Sequence, residues 1–170
     1  GIAGVCWSCK TLPVKVLGSR GDGDDATIAQ GIRWAADQGA RIISMSLGGT
    51  VDTQVLREAV DYARSRNVLV IAASGNGQAR GNRPSYPAAY SDVLAVSATD
   101  GSDTVTGFST TGDFVDISAP GVGVWSTVWT PSGDSYAAAN GTSAACPYVA
   151  GAAALILSLR PELNADQLMQ

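Results

Sequence analysis

The chain has 170 residues, of which 45% are hydrophobic and 15% are charged; this composition excludes an intrinsically disordered segment and suits one folded domain. The 15 Asp and Glu residues outnumber the 11 Lys and Arg residues, so the net charge of −4 argues against nucleic acid or an anionic membrane surface as a partner. There is no histidine, and a mechanism that needs an imidazole therefore cannot be completed by this chain alone.

Strand signals and helix signals alternate along the chain. In order they are a strand over Pro13–Leu17, a Gly- and Asp-rich loop over residues 18–25, a helix carrying Ile28 and Ile32 that ends at Gly39, a strand over Arg41–Ser46, a helix carrying Leu56 and Val60, strands over Val68–Ala73 and Val93–Ala98, short strands over Phe114–Ser118 and Gly123–Val128, a long helix from about Ser143 to Leu159, and the cap of one more helix at Asn164. Asp25 or Thr27 is the expected N-cap of the first helix, and Asp52 or Thr53 that of the second.

This order of elements predicts an α/β fold built on a doubly wound, mostly parallel sheet with helices on both faces. The strands are almost wholly apolar, as is usual for parallel strands that are covered on both sides. The series closes on a helix that is cut short, so residues 1–170 are interpreted as one part of a domain that is incomplete at both ends. No uncharged apolar run is expected to reach the roughly 18–20 residues of a membrane span, since the longest, near Val149–Leu159, stops at Arg160.

Three cysteines leave several interpretations open. Cys6 and Cys9 form a Cys-x-x-Cys pair that fits a redox motif, half of a zinc site, a local disulfide or two packed thiols. Zinc is disfavoured because no second pair of ligands exists, and a thioredoxin-like role is disfavoured because the pair precedes a strand rather than opening a helix. Cys146 lies in an Ala-rich stretch and is interpreted as a buried small apolar residue.

The most informative local pattern runs over Asn140–Pro147, where a glycine-containing turn places Ser143 at the start of a helix. The first turn of a helix has free backbone N–H groups and a positive dipole end, which can stabilise negative charge that forms beside a nucleophile. The alternative is that Thr142 or Ser143 is simply the N-cap of that helix.

Two further patterns lie at the carboxyl ends of predicted strands, where ligands bind in open parallel sheets. Asn76 is held between Gly75 and Gly77 and offers an amide donor, although a plain turn would explain the same residues. The run Ser44–Gly49 ends in two glycines, which allow another backbone to come close.

Together these patterns resemble a subtilisin-type serine peptidase, and the resemblance covers nearly the whole chain. The matching segments are Val14–Gly18, Gly31–Ala35, Ser44–Gly49, Ala72–Asn76, Tyr86–Pro87, Ser118–Gly121 and Asn140–Ser143. The resemblance implies that Ser143 is the nucleophile and that Asn76 donates to the oxyanion.

The resemblance also implies where a substrate binds. Two backbone segments would hold an extended peptide as an added strand: Gly21, Asp22, Gly23 and Ser46, Leu47, Gly48. The pocket for the residue before the cleaved bond would be formed by Ala73, Gly75, Gly48 and Ser85. No cofactor is expected for the chemistry. A structural Ca²⁺ or monovalent cation could be held by the carbonyls of Ala88, Tyr90 and Val93 together with Asp116. An extracellular location is implied as well.

The chain departs from the family in ways that affect function. In the family the Asp and His of the triad precede the serine, whereas this chain starts after them, so we expect both to come from a segment outside it. The family's Ser-Pro-His after the nucleophile is Cys146-Pro147-Tyr148 here. Two hypotheses therefore stay open: a serine endopeptidase that is completed from outside this chain, and an inert peptide-binding remnant or pseudo-protease.

The Gly- and Asp-rich loop has two weaker interpretations. Gly18–Gly23 lacks the spacing of a nucleotide-binding loop, and its aspartates would repel phosphate. Asp22, Asp24 and Asp25 lack the spacing of a calcium-binding hand, so a solvated loop is favoured, with a preference for basic substrate side chains as the alternative.

Overall fold

A computed structural model describes residues 2–170. The elements are α1 (Asp25–Asp37), β1 (Ile42–Met45), α2 (Gln54–Ser65), β2 (Leu69–Ala73), a 3-10 turn (Gln78–Arg80), β3 (Val93–Thr99), β4 (Ile117–Pro120), β5 (Val124–Thr130), β6 (Gly133–Ala139), α3 (Thr142–Leu159) and α4 (Ala165–Met169). Most predicted elements are present, with boundaries shifted by a few residues.

The main sheet has four parallel strands in the order β1-β2-β3-β4. Every residue of β2 and β3 is buried, because helices cover both faces. Alternate side chains of β2 point to opposite sides: Val70 packs with α1 and α2, whereas Ile71 packs with α3 and α4. This arrangement confirms the predicted α/β fold with a mostly parallel, doubly wound sheet.

Two strand predictions are wrong. Pro13–Leu17 forms no strand, because none of the described strands lies beside it to supply ladder hydrogen bonds; Val16 and Leu17 pack instead at the edge of the core under α1. The strand expected at Phe114–Ser118 begins only at Ile117.

One strand, β6, was not predicted at all. β5 continues to Thr130 and pairs antiparallel with β6, whose Ala-rich sequence carries little β signal and depends on its partner for pairing. This two-stranded ribbon leads directly into the turn before α3.

The N-cap of α1 lies one residue before the nearer predicted position, whereas those of α2 and α4 lie at predicted positions. Asp24, not Asp25 or Thr27, caps α1: its carboxylate accepts hydrogen bonds from Thr27 N at 2.9 Å and from Thr27 Oγ1 at 2.8 Å. Thr53 is the N-cap of α2 by backbone position, but its hydroxyl donates to Asp25 Oδ2 at 2.7 Å instead of to its own helix. α4 is capped by Asn164 in a capping box, as predicted.

We expect Asp24→Ala to lower the thermal unfolding temperature at neutral pH, because the first turn of α1 then loses its cap. The two bonds from Thr27 hold the pKa of the Asp24 carboxyl below its usual value. This stabilisation is therefore present above the unfolded pKa and is lost as the pH falls through the lower folded pKa. In calorimetric scans, the difference in unfolding temperature between wild type and variant should shrink as the pH falls below about 4.

Two matched variants make this test specific. Asp24→Asn keeps a capping oxygen and should lose much less stability than Asp24→Ala. Asp61→Ala removes an exposed carboxylate on α2 that accepts no hydrogen bond within residues 2–170 and should change little. A constant gap across the pH range would contradict a role for the Asp24 charge.

α3 is the one helix within residues 2–170 that is long and apolar enough to cross a membrane by length and composition alone, with 18 residues and a mean hydropathy of 1.5. The prediction that no uncharged run reaches this length is therefore wrong. A core helix passes the same test, and α3 lies across all four strands of the main sheet. Its close contact with the sheet rests on small side chains such as Ala145, Cys146 and Ala153.

Cys6 and Cys9 form a disulfide, which excludes two packed thiols and half of a zinc site in this structure. Cys146 is free and fully buried, as predicted. Burial raises the pKa of its thiol, and the Ser44 hydroxyl lies 3.6 Å from its sulfur. Cys146 is therefore a packed, protonated side chain between α3 and the sheet.

Candidate active site

Ser143 lies in the first turn of α3, at the carboxyl edge of the parallel sheet. Gly141 precedes the helix with φ of +149°, and a Cβ built on it would lie 3.2 Å from the side-chain nitrogen of Asn76. Glycine is therefore needed both for the backbone turn and for the close approach of Asn76. The local sequence thus brings the serine and the asparagine to the same point.

The Ser143 side chain is exposed and faces the end of β1. Its Oγ donates to the carbonyl of Ser46 at 3.3 Å, while Ser46 Oγ donates to the carbonyl of Ser143 at 2.7 Å. No titratable side chain in residues 2–170 hydrogen-bonds to the Ser143 hydroxyl. The described residues hold the hydroxyl in place without a base to activate it.

The amide of Asn76 is fixed through its oxygen. Asn76 Oδ1 accepts from Thr142 N at 2.9 Å and from Thr142 Oγ1 at 3.1 Å. This leaves Nδ2, which has no acceptor within residues 2–170, free to donate. A donor held in advance is what stabilisation of a developing oxyanion requires.

Two buried threonines hold the Asn76 loop, and sequence reasoning missed both. Thr142 Oγ1 accepts from Gly75 N at 3.2 Å, and Thr110 Oγ1 accepts from Gly77 N at 3.0 Å. Thr110 N also donates to Gly75 O at 2.8 Å. No periodicity or motif marks Thr110, because its contacts reach across more than 30 residues of chain.

All the predicted substrate-binding and catalytic residues lie around one cavity of about 640 Å³. They are Gly21, Asp22, Gly23, Ser46, Leu47, Gly48, Ala73, Gly75, Asn76, Ser85 and Ser143. Their common location agrees with a single cleft, while their individual roles stay predictions.

Glycines form the narrow part of this cavity around Ser85. A Cβ on Gly48 would lie 2.4 Å from Ser85 Oγ, and one on Gly75, which has φ of +104°, would lie 3.1 Å from Ser85 Cβ. Gly49 and Tyr86 exchange two backbone hydrogen bonds of 3.0 and 2.7 Å, which tie the two walls together. Any side chain at either glycine would fill the space that Ser85 borders.

The cavity is also lined by residues that were not predicted to be part of the site. Leu17, Asp25, Ile28 and Leu56 form its end near α1, and Thr50, Tyr86, Thr110, Thr142, Gly77, Arg80 and Arg83 line the remainder. Leu17, Gly77, Tyr86 and Thr142 belong to motifs described above, but no role in the cleft was predicted for them. Thr110, Arg80 and Arg83 belong to no such motif, so only the fold brings them to the cleft.

The four residues of the predicted cation site lie outside this cavity. Tyr90 O accepts from Val93 N at 3.1 Å, and Asp116 Oδ2 accepts from Ala95 N at 2.7 Å. Carbonyl and carboxylate oxygens suit a hard cation, and each has a second lone pair. The set of Ala88, Tyr90, Val93 and Asp116 thus stays a prediction, and two of its oxygens already accept protein N–H groups.

The sequence as a whole matches a known family: the Subtilase family model aligns with residues 1–170. The chain belongs to the subtilase family. Thermitase of Thermoactinomyces vulgaris is 47% identical over 158 residues, which are 93% of this chain and 55% of that protein. Subtilisin DY of Bacillus licheniformis is 44% identical over 169 residues, which are 98% of this chain and 61% of that protein.

Two solved structures agree with the fold. A protease from Pseudoalteromonas arctica PAMC 21717 matches with a TM-score of 0.92 at 34% identity, over 99% of this chain and 56% of that one. Sphericase matches with a TM-score of 0.77 at 37% identity, over 91% of this chain and 56% of that one. This subtilase chain thus spans little more than half the length of the relatives it matches.

Proposed function

We propose that this chain carries the nucleophile-bearing part of a serine endopeptidase. The observation that supports it most strongly is the group formed by Ser143, Asn76 and Thr142, in which an exposed hydroxyl lies beside a fixed amide donor at a helix start. The family supports a serine peptidase in general. The activity of the whole protein is our proposal, since the chain spans only 55% and 61% of the two relatives described above.

In the proposed reaction, Ser143 Oγ attacks the carbonyl carbon of the scissile peptide bond, and a histidine from outside this chain accepts its proton. Asn76 Nδ2 and the Ser143 backbone N–H then donate to the oxyanion. The C–N bond breaks, and the amine leaves with the proton that the histidine returns. Water, deprotonated by the same histidine, then attacks the carbonyl carbon of the ester on Ser143. The ester C–O bond breaks, the histidine returns the proton to Ser143 Oγ, and the acid product leaves.

The direct test uses the full-length protein that carries this chain. A fluorophosphonate should label it at Ser143, as located by peptide mass spectrometry, and it should hydrolyse casein. Ser143→Ala should abolish both, whereas Ser158→Ala, a serine on the exposed side of α3, should keep both. Unchanged hydrolysis in Ser143→Ala would overturn the proposal.

We further propose that the substrate binds as an extended strand between Gly21–Gly23 and Ser46–Gly48. A peptide paired through its backbone should be recognised at most positions without regard to side chain. Replacing a pairing amide of the substrate by an ester should raise KM about fivefold or more while kcat changes little. An ester scan with no effect at any position, or a complex with peptide bound elsewhere, would contradict this.

The second candidate is an inert peptide-binding remnant. The absence of histidine from these 170 residues favours it for the chain on its own. It predicts that the full-length protein binds peptides in this cleft but neither reacts with a fluorophosphonate nor hydrolyses casein. The labelling experiment therefore separates the two candidates.

The proposed location, partners and cofactors follow from the same proposal. We propose an extracellular location, which the Cys6–Cys9 disulfide supports because disulfides persist in oxidising compartments. The proposed partners are an extended polypeptide substrate and a segment that supplies the Asp and His of the triad, with neither nucleic acid nor a membrane involved. The chemistry needs no cofactor, and the oxygen set around Asp116 is proposed only as a structural cation site.

A further inference from the structure

A hydroxyl without a protein partner lies at the narrow part of the cleft. Ser85 is only 9% exposed, and its Oγ forms no hydrogen bond with any residue in 2–170. It borders the space between Gly48 and Gly75, next to the Asn76 loop. A ligand that displaces solvent from this hydroxyl without pairing with it loses free energy, so this position favours a ligand with a polar tip.

Two arginines line the same cavity on the loop between Asn76 and Ser85. Arg80 Nη2 donates to the carbonyl of Asn76 at 3.2 Å, which holds its positive charge beside the proposed oxyanion site. Arg83 follows Asn82, whose side chain is fixed to Thr111 by hydrogen bonds of 2.9, 3.0 and 3.2 Å. Neither arginine forms an ion pair with a carboxylate of the described residues.

The carboxylates that line the cavity belong to a different segment, the loop before α1 and the first residue of that helix. Asp22 and Asp25 lie on either side of Gly23, with the apolar residues Leu17 and Ile28. Asp22 pairs with Arg20 at 3.2 Å, and Asp25 accepts a hydrogen bond from Thr53 at 2.7 Å. The charges that line the cleft are therefore grouped by segment: negative on the loop before α1 and its first residue, and positive on the loop that follows Asn76.

We propose that this cleft prefers a carboxylate side chain, Glu or Asp, at the substrate residue immediately before the cleaved bond. Ser85 Oγ donates to the carboxylate at the base of the pocket, and the guanidinium groups of Arg83 and Arg80 face it at the rim. Hydrogen bonds to a charged acceptor are stronger than neutral ones, so a carboxylate gains more than an amide from these donors. The inference rests on the proposed peptidase function, and it names a substrate class for the same site.

The test compares three peptides that differ only in having Glu, Gln or Arg at this position, cleaved by the full-length protein. We expect kcat/KM for Glu to exceed that for Gln by about tenfold at low ionic strength, and Arg to be the poorest of the three. The Glu:Gln ratio should fall as salt rises, because the arginines are exposed.

Variants assign the preference to residues. Arg83→Gln and Ser85→Ala should each reduce the Glu:Gln ratio severalfold, because each variant leaves the contribution of the other residue in place. Arg160→Gln removes an exposed arginine far from the cleft, one that pairs with Glu162, and should leave the ratio unchanged. A ratio near one in the wild-type protein, or one that survives in Arg83→Gln and Ser85→Ala, would overturn this inference.

The experiment also separates the peptidase proposal from the proposed charge preference. If all three peptides are cleaved at similar rates, the peptidase proposal stands and the charge preference is wrong. If no peptide is cleaved and Ser143 remains unlabelled, the peptidase proposal fails and the charge preference fails with it.

Discussion

The isolated chain is expected to leave a fluorophosphonate probe unreacted at Ser143 and to hydrolyse no peptide. A serine hydroxyl is a poor nucleophile at neutral pH unless an adjacent base accepts its proton. Here the hydroxyl donates to the carbonyl of Ser46, which cannot serve as that base. A positioned general base contributes roughly 100- to 10,000-fold, and the fixed donor of Asn76 alone leaves only weak residual catalysis.

Supplying the missing base from a second polypeptide tests whether its absence is the cause of this inactivity. A separate polypeptide that carries the family's Asp and His should restore labelling of Ser143, while the same polypeptide with its His changed to Ala should not. Both lysines, Lys10 and Lys15, lie near the amino terminus, and Lys15 Nζ donates to the carbonyl of Leu17. Rapid labelling of the folded chain alone would show that a residue within it replaces the histidine.

In the complete protein, Asn76→Ala is expected to lower kcat by about 100-fold or more with little change in KM, because its donor acts on charge that develops in the transition state. The magnitude is the one known for an oxyanion-hole asparagine in this same family, so it is carried over rather than derived from the distances here. Steady-state kinetics on a peptide p-nitroanilide would measure it.

The control must separate the donor from the contacts that fix it. Asn76→Ala also removes the oxygen that accepts from Thr142 N and Oγ1. Thr142→Val removes only the hydroxyl and keeps Nδ2 of Asn76, so it should reduce kcat by a smaller factor than Asn76→Ala. An unchanged kcat in Asn76→Ala, or an equal loss in both variants, would remove Nδ2 from the mechanism.

The sheet was predictable because its signals are local. β2 and β3 are continuous apolar runs, and helices with apolar residues at regular spacing lie between the strands, so their type and order could be inferred. Pro13–Leu17 shows the limit of such reasoning: it has β-type residues, but a strand exists only where a neighbour supplies hydrogen bonds. β6 shows the reverse, since its pairing with β5 outweighs its weak propensity.

The site was only partly predictable for a related reason. Gly141, Ser143 and Asn76 lie in short motifs whose spacing alone indicates a turn before a helix or a strand end. Thr110 and Arg83 have no such motif, and they reach the cleft through contacts between distant parts of the chain. Their chemistry becomes visible only when the cavity is assembled.

The outer position of β1 bears on how the isolated chain behaves in solution. Among residues 2–170, β1 pairs with β2 alone, so its other side presents N–H and C=O groups with no strand beside them. A row of this kind is a template on which a further strand can add, whether from another molecule or from a short synthetic peptide. Purification at low protein concentration, or with such a peptide present, should therefore favour monomers over aggregates.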